Sequence, residues 1–335
     1  MKSGVLKKSH LSIERFEKIP RLNLTCLSTP VEECERLRKA IPGSPHIYIK
    51  RDDHIGYLCG GNKIRKLEYV MSDVLAAEAT TVVTIGCFQS NHARATAMVA
   101  KRLGLDCVLV LNGEKPADPR GNYLVNYLLQ TEVVPVATRD DRVPMMNEVV
   151  HDLEREGKRA YKISLGASDE IGAFGFVKAL EGLNNQQQKM GIQFDAIFIG
   201  SSSGGTQAGL EVGKKIFDLS RLRIIGISPD DPADEIKKTM SSITSPMLSR
   251  VGLEPSFDPE DVVVDESYIG DGYGRRTSLS KEAAELFLET EGILLDPVYT
   301  SKAAAALIDY CRNGTFRPED HVLFWHTGGL INLFE

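Results

Sequence analysis

The feature of this sequence that most restricts its fold is a regular alternation of short apolar runs with helix-like segments. The apolar runs are rich in Val and Ile, as are strands buried on both faces of a parallel sheet. They cover residues 46–50, 81–86, 107–111, 133–136, 195–200, 222–227, 293–297 and 321–325. Helical patterns lie between many of them, at about 90–104, 144–156, 172–190, 206–218, 280–291 and 301–312. This alternation predicts an α/β fold with parallel sheets.

The length of the chain predicts two packed domains, because 335 residues exceed what one hydrophobic core usually supports. No linker rich in Pro, Gly or Ser separates two halves. We therefore expect interleaved domains, between which the chain crosses more than once.

Charge and hydropathy exclude several kinds of partner. The formal net charge is −6 and there is no long basic run, which argues against a nucleic-acid partner. No apolar run is long enough to span a membrane, and the N-terminus lacks the apolar segment of a signal peptide. Because the cysteines show no CxxC spacing, we expect reduced thiols in a cytoplasmic protein and no metal site. The cysteines are Cys26, Cys34, Cys59, Cys87, Cys107 and Cys311.

The first polar cluster is IKRDDHIGYLCGGNKIRKLEY, residues 49–69, in which a glycine pair precedes a predicted helix that opens near Lys63. Lys63, Lys66 and Leu67 are three and four residues apart and share one helical face. The positive end of the helix would lower the pKa of Lys63, which suits a lysine that binds a carbonyl cofactor. The alternative is a solvated lysine on a surface helix.

The second cluster is TIGCFQSNHARATA, residues 84–97, where a predicted strand ends in four polar side chains, Gln89 to His92. Ligands of parallel α/β sheets bind at the carboxyl ends of strands. Ser90 or Asn91 could also cap the following helix. The alternative is a plain capping turn with His92 on the surface.

The third cluster is DAIFIGSSSGGTQAG, residues 195–209, in which a strand, a glycine-rich loop and a helix follow one another. Glycines that expose backbone N–H groups, hydroxyl donors and a helix N-terminus together favour binding of a phosphate. The pattern is neither GxxxxGK[ST] nor GxGxxG, which argues against a kinase or a dinucleotide site. A structural tight turn is the alternative.

Three further clusters would each be interpreted as ordinary turns on their own. They are GDGYGRRT at 270–277, LLDPVYTSKA at 294–303 and FWHTGG at 324–329.

In combination, GGNKxRKLE, QSNH, SGGTxAG, DPVY and HTGG resemble the D-cysteine desulfhydrase and 1-aminocyclopropane-1-carboxylate (ACC) deaminase family of pyridoxal-phosphate (PLP) enzymes. The resemblance extends from about residue 15 to residue 330. It implies the tryptophan-synthase-β-like fold, known as fold type II, with two three-layer αβα domains and PLP in the cleft. A small domain at 66–171 would be inserted into a large domain made of 1–65 and 172–335. The family also implies a homodimer.

The resemblance assigns roles to residues that match the motifs. Lys63 would be the Schiff-base lysine, and Ser90, Tyr273 and Tyr299 the other catalytic residues. The phosphate would be held by Lys66, Ser203, Gly204, Gly205 and Thr206. Asn91 would bind the ring hydroxyl of the cofactor, while Ser90, Asn91 and His92 would meet the substrate carboxylate. The two tyrosines would line the substrate pocket.

Two threonines favour the desulfhydrase branch of the family. The deaminases resemble DPVYE and HLGG where this chain has Thr300 and Thr327. A Glu near the pyridine nitrogen would keep it protonated, whereas a Thr leaves a weaker electron sink, sufficient when a thiolate leaves. The sequence ISLGAS replaces the more usual PxGGAS and places Ser164 and Leu165 in a loop expected to face the substrate. That difference leaves L-cysteate sulfo-lyase open.

The expected activity is therefore β-elimination from D-cysteine or a close analogue, giving pyruvate, ammonia and hydrogen sulfide. ACC deamination is the alternative within the family. A catalytically silent regulatory protein is the alternative from another class, and retention of Lys63, Ser90 and Tyr299 argues against it.

Overall fold

The computed structural model describes residues 2–24, 28–56 and 59–335 and contains two β-sheets. The larger sheet has the strand order β1-β2-β10-β7-β8-β9 and the smaller sheet has the order β5-β4-β3-β6. The strands are β1 Val31–Glu33, β2 His46–Arg51, β3 Thr81–Cys87, β4 Asp106–Asn112, β5 Glu132–Val136, β6 Ala160–Ile163, β7 Ala196–Gly200, β8 Arg223–Ile227, β9 Val263–Asp265 and β10 His321–His326. All neighbours pair in parallel except β1, which is antiparallel to β2.

Helices cover both faces of each sheet. They are α1 Lys2–Glu17, α2 Glu35–Ala40, α3 Lys63–Ala76, α4 Asn91–Leu103, α5 Gly121–Leu128, α6 Arg142–Arg155, α7 Phe174–Met190, α8 Gly205–Ile216, α9 Ala233–Arg250, α10 Ser278–Glu291 and α11 Thr300–Arg312. Along β10, Val322 and Phe324 pack with α10 and α11, while Leu323 and Trp325 pack with α7 and α8. In the smaller sheet, Val83 packs on the α6 side and Val82 on the α3 and α4 side. These layers confirm the predicted αβα architecture.

One predicted strand, at 293–297, is wrong. The segment is irregular, although Ile293 and Leu295 are buried and Leu294 is exposed, an alternation typical of a strand. The buried side chains pack in the core beneath α10 and α11. The nearby strand β10 already pairs with β2 on one side and β7 on the other, so no strand edge is free there. The short strands β1, β6 and β9 were not predicted, because they are not continuous apolar runs.

The two sheets use separate parts of the chain. The smaller sheet is made from residues 81–163, and the strands of the larger sheet precede and follow that range. This arrangement agrees with interleaved domains, while the boundaries at 65/66 and 171/172 stay a prediction. Among the described residues, no helix is both long and apolar enough to cross a bilayer. The described cysteines are free thiols, and Cys26 lies outside the described residues.

Candidate active site

A cavity of about 450 Å³ lies where the carboxyl ends of strands from both sheets meet. That volume is within the usual range for a small-molecule site. Much of its lining comes from the ends of β3, β4, β5, β6, β7 and β8 or the segments that follow them, as expected for parallel α/β sheets. The lining includes Lys63, Ser90, Asn91, His92, Leu165, Ser203, Gly204, Thr206, Tyr273 and Tyr299. The structure therefore brings most of the predicted site residues together around one cavity.

Lys63 is the first residue of α3, and two glycine-rich loops place it there. A Cβ on Gly61 would lie 3.0 Å from the Thr327 oxygen, and one on Gly328 would lie 2.7 Å from the Gly61 Cα. Asn62 N donates to Thr327 O at 3.0 Å. Only glycine therefore allows the GGNK and HTGG loops to approach this closely. Their contact orients the start of α3 toward the cavity.

The amino group of Lys63 is less basic than that of an ordinary lysine. The Lys63 residue is partly exposed to the cavity. Burial of its amine lowers the pKa of the amine to about 8. The lowered pKa agrees with the predicted direction. We expected the positive end of the helix to cause the shift, but its cause is burial. A lysine with a pKa near 8 is partly unprotonated at neutral pH, so it can act as a nucleophile or a base.

The loop between β7 and α8 has the features of a phosphate site. Gly204 has a φ of +72°, and a Cβ on Gly205 would lie 2.7 Å from the Ser168 hydroxyl. The Ser201 hydroxyl is buried without a hydrogen-bond partner among the described residues. Residue Ser201 lines the cavity beside the N-terminus of α8, where an anion would be favoured. The residues present therefore fit the phosphate of the expected cofactor.

Lys66 is fully buried behind this loop. Its amine donates to the Ser168 hydroxyl at 2.8 Å and the Gly166 carbonyl at 3.3 Å. Ser168 in turn shares a 2.7 Å hydrogen bond with the hydroxyl of Ser203. Burial, and next the charge of Lys63, lowers the Lys66 pKa well below its ordinary value. A buried amine in this condition would be stabilised in its charged form by a nearby anion.

The QSNH segment both caps a helix and presents donors to the cavity. The Ser90 hydroxyl accepts from Ala93 N at 3.2 Å, which confirms the predicted N-cap. Asn91 Oδ1 accepts from Asn122 Nδ2 at 3.0 Å. Because its oxygen is engaged in this way, the amide nitrogen of Asn91 is the group available to donate to a cofactor hydroxyl.

The hydrogen bonds of His92 argue against its predicted contact with the substrate carboxylate. The Thr84 hydroxyl donates to Ile163 O at 2.9 Å and lies 2.8 Å from His92 Nε2. Since that hydroxyl proton is used, Nε2 must donate, and a neutral ring then carries an acceptor at Nδ1. Nδ1 is buried and has no partner among the described residues. An acceptor cannot bind a carboxylate, so this correction leaves Ser90 and Asn91 as the predicted carboxylate donors.

We expect His92 to remain a neutral Nε2–H tautomer at pH 6, where an ordinary histidine is largely protonated. Burial, followed by the charges of Lys63 and Lys66, lowers its pKa well below 6.5. Nitrogen-15 NMR of histidine-labelled protein, with His92→Gln to assign the signal, measures the tautomer directly. A doubly protonated His92 ring at pH 6 would contradict the assignment.

Tyr273 and Tyr299 form a hydroxyl pair at the cavity. Their Oη atoms are 2.6 Å apart, and the Arg139 guanidinium lies 5.6 Å from the centre of the Tyr273 ring. Burial raises the pKa of both hydroxyls, so each remains protonated at neutral pH. The pair can therefore donate a hydrogen bond into the cavity.

The two diagnostic threonines lie in different places. Thr327 lines a small cavity with Lys63, next to the larger one. Thr300 donates to Asp296 Oδ1 at 2.7 Å and accepts from Asp296 N at 2.7 Å, and it lines neither cavity. The Thr300 hydroxyl is hydrogen-bonded at the start of α11 and does not face the site. This contact argues against the predicted position of Thr300 at the cofactor ring.

Of the two residues predicted to face the substrate from the loop after β6, one lines the cavity. Leu165 lines the cavity. The Ser164 hydroxyl donates to Asp169 Oδ2 at 2.7 Å and is not part of the lining. The predicted substrate contact by Ser164 is therefore not supported, because its hydroxyl is committed to stabilising its own loop.

Several residues that line the cavity were not predicted from the sequence. Cys87 and Asn112 end β3 and β4, and Arg139 and Asp230 follow β5 and β8. Arg139 Nη1 lies 2.6 Å from Asp230 Oδ2 and joins the segments after these two strands. The rule that ligands bind at carboxyl ends of strands would have identified all four if applied to every predicted strand.

Comparison with known proteins gives similarities over nearly the whole chain. The family model for pyridoxal-phosphate dependent enzymes matches residues 22–328. A D-cysteine desulfhydrase from Klebsiella pneumoniae subsp. pneumoniae is 36% identical, covering 97% of this chain and 98% of the relative. A Pyrococcus abyssi protein, provisionally named an ACC deaminase, is 35% identical, covering 95% of this chain and 94% of the relative. The crystal structure of an ACC deaminase homologue is 33% identical, with a TM-score of 0.88 and 96% of each chain covered.

Proposed function

Because the chain belongs to the pyridoxal-phosphate dependent enzyme family, we propose that it converts D-cysteine or a close analogue to pyruvate, ammonia and hydrogen sulfide by β-elimination. Its cofactor is pyridoxal phosphate, and it is a lyase. The single observation that supports the proposal most is the position of Lys63. Its weakly basic amine opens into the same cavity as the glycine-rich loop that fits a phosphate.

The residues around the cavity would divide the chemistry between them. When bound, pyridoxal phosphate supplies an electron sink for the electron pair left at the substrate Cα. The amine of Lys63 would take the Cα proton, because a pKa of about 8 leaves an unprotonated fraction at neutral pH. Ser90 and Asn91 would hold the substrate carboxylate by donating hydrogen bonds from the start of α4.

The tyrosine pair would stabilise the leaving group. The Cβ–S bond breaks with its electron pair on sulfur, and a hydrogen bond donated by the Tyr273–Tyr299 pair would stabilise the departing hydrosulfide. Both hydroxyls keep their protons because burial raises their pKa values. Water then hydrolyses the remaining carbon skeleton to pyruvate and ammonia.

ACC deamination is the second candidate, favoured by similarity to the Pyrococcus abyssi relative and to the ACC deaminase homologue. Thr300 and Thr327 stand where the deaminases resemble Glu and Leu. Thr300 is hydrogen-bonded to the buried carboxylate of Asp296 and lines neither cavity, whereas Thr327 lines the small cavity with Lys63. Thr327 is therefore the difference that supports the desulfhydrase within the family.

A substrate panel tests the proposal and separates the candidates. We expect pyruvate and sulfide from D-cysteine, at a kcat/KM at least about tenfold above that for L-cysteine, L-cysteate, β-chloro-D-alanine, D-serine or ACC. Lactate dehydrogenase measures pyruvate, and methylene blue measures sulfide. 2-Oxobutyrate from ACC would select the deaminase, pyruvate and sulfite from L-cysteate the sulfo-lyase, and no product from any of them the silent homologue.

We also propose that the protein acts on a free small amino acid, as a homodimer in the cytoplasm. The family resemblance supports the dimer, and the free thiols of the cysteines that the structure describes support the compartment. Light scattering of the purified protein measures the oligomeric state.

A further inference from the structure

Lys302 is a buried lysine that the proposed chemistry does not use. It lies in the first turn of α11, and only 1% of its surface is exposed. Its amine donates to Pro229 O at 2.8 Å, Ile269 O at 2.6 Å and Gly272 O at 2.9 Å. An ammonium has three N–H donors and no acceptor, and here each donor meets one backbone carbonyl. Lys302 is thus a cation tethered inside a cage of three carbonyls.

The three carbonyls belong to two loops that reach the cavity. Pro229 immediately precedes Asp230, while Ile269 lies four residues before Tyr273 and Gly272 immediately before it, in the glycine-rich segment. Asp230 and Tyr273 both line the cavity. The two loops are far apart in sequence. The ammonium of Lys302 joins them by donating hydrogen bonds to backbone carbonyls of both.

Lys302 also connects these loops to the partner of Tyr273. Tyr299 lies three residues before Lys302, at the start of the same helix, and its Oη is 2.6 Å from that of Tyr273. On the other side, Asp230 pairs with Arg139 at 2.6 Å, and the Arg139 guanidinium faces the Tyr273 ring. A shift of either loop would therefore separate the tyrosine hydroxyls and change the shape of the cavity.

We propose that Lys302 is a positioning residue: its ammonium holds the Pro229 and Ile269–Gly272 loops together so that Tyr273 meets Tyr299 at the leaving group. This inference rests on the proposed function for its catalytic consequence. The effect of Lys302 on the position of the two loops can be measured without an assay of catalysis.

Lys302→Ala removes the cation and leaves a space that matches n-propylammonium, the fragment lost from the side chain. We expect kcat for pyruvate formation from D-cysteine to fall about 10- to 100-fold, because a displacement near 1 Å can cost that much. The KM should change less than threefold, since Ser90 and Asn91 do not contact this cage. Added n-propylammonium should restore at least a third of the lost activity, and n-propanol, which lacks the charge, should not.

Trypsin provides the readout that does not depend on catalysis. Arg275 and Arg276 follow Tyr273 in an exposed part of its loop, so loosening of the loop should speed cleavage there at least fivefold. Mass spectrometry identifies the cut, and n-propylammonium should slow it again. Lys50→Ala is the matched control, because Lys50 is 2% exposed and donates to Thr29 O at 2.6 Å, away from the cavity. It should show no rescue by the amine and no faster cleavage at these arginines.

Wild-type kcat and cleavage in Lys302→Ala would overturn the inference, as would equal rescue by n-propanol and n-propylammonium. If the alanine variant does not fold, Lys302→Met keeps the packing and removes the charge, and the same two measurements apply to it. If the wild type forms no pyruvate from D-cysteine, the proposed function fails, while the trypsin result still decides whether Lys302 holds the loops.

Discussion

Replacing Lys63 with alanine is expected to lower pyruvate formation from D-cysteine by at least about 10³-fold. Lys63 would both carry the cofactor covalently and take the Cα proton, so its loss removes two functions at once. Its amine is the only lysine amine among the described residues that lines the cavity, and burial lowers its pKa to about 8. Coupled assay with lactate dehydrogenase under saturating cofactor measures the loss.

Borohydride reduction of the wild type decides which lysine carries the cofactor. We expect the pyridoxyl group on the peptide that contains Lys63. Lys66 is the natural rival, because it is three residues away and also has a lowered pKa. Its amine, however, is directed to Ser168 and Gly166. A label on Lys66, or a Lys63→Ala variant as active as the control Lys162→Met, would refute the assignment.

The second large effect concerns Lys66. Lys66→Met should weaken cofactor binding roughly 10- to 150-fold, the loss expected for one charge-assisted hydrogen bond to a phosphate. The stability of the cofactor-free protein should change in the opposite direction. With no phosphate bound, a fully buried amine costs free energy in the folded state, and a methionine of similar length removes that cost. Fluorescence titration with pyridoxal phosphate and urea unfolding measure the two quantities.

The pH dependence of this stability follows from the direction of the pKa shift. The folded pKa of Lys66 lies well below 10.5, so between the two pKa values the unfolded chain binds more protons. The contribution of Lys66 to the free energy of unfolding of the cofactor-free protein should therefore rise with pH up to about pH 10. The free energy of unfolding of the wild type relative to Lys66→Met should rise with pH in that range, whereas its value relative to exposed Lys162→Met should not. An unchanged slope together with unchanged cofactor affinity would remove Lys66 from the phosphate site.

Local patterns in the sequence were sufficient for the architecture and for the position of the site. Buried parallel strands are continuous apolar runs, and their helices follow within a few residues, so α4 and α8 were predicted to within two residues at each end. The motif residues around Lys63, Ser90 and Gly204 follow strand ends directly. Segment 293–297 shows the limit of such patterns, because an alternation of buried and exposed residues does not reveal whether a neighbouring strand is available.

The sequence by itself determined the αβα class, the cofactor and the loops that form the cavity, because these depend on residues close together along the chain. Only the tertiary structure decided what each polar side chain does. Thr300 is committed to Asp296, and the His92 ring is oriented by Thr84. Lys302 joins Pro229 across 73 residues of sequence. Hydrogen-bond partners and desolvation are set by distances in space, and a side chain that looks available in a motif can already be satisfied by a residue that the motif does not contain.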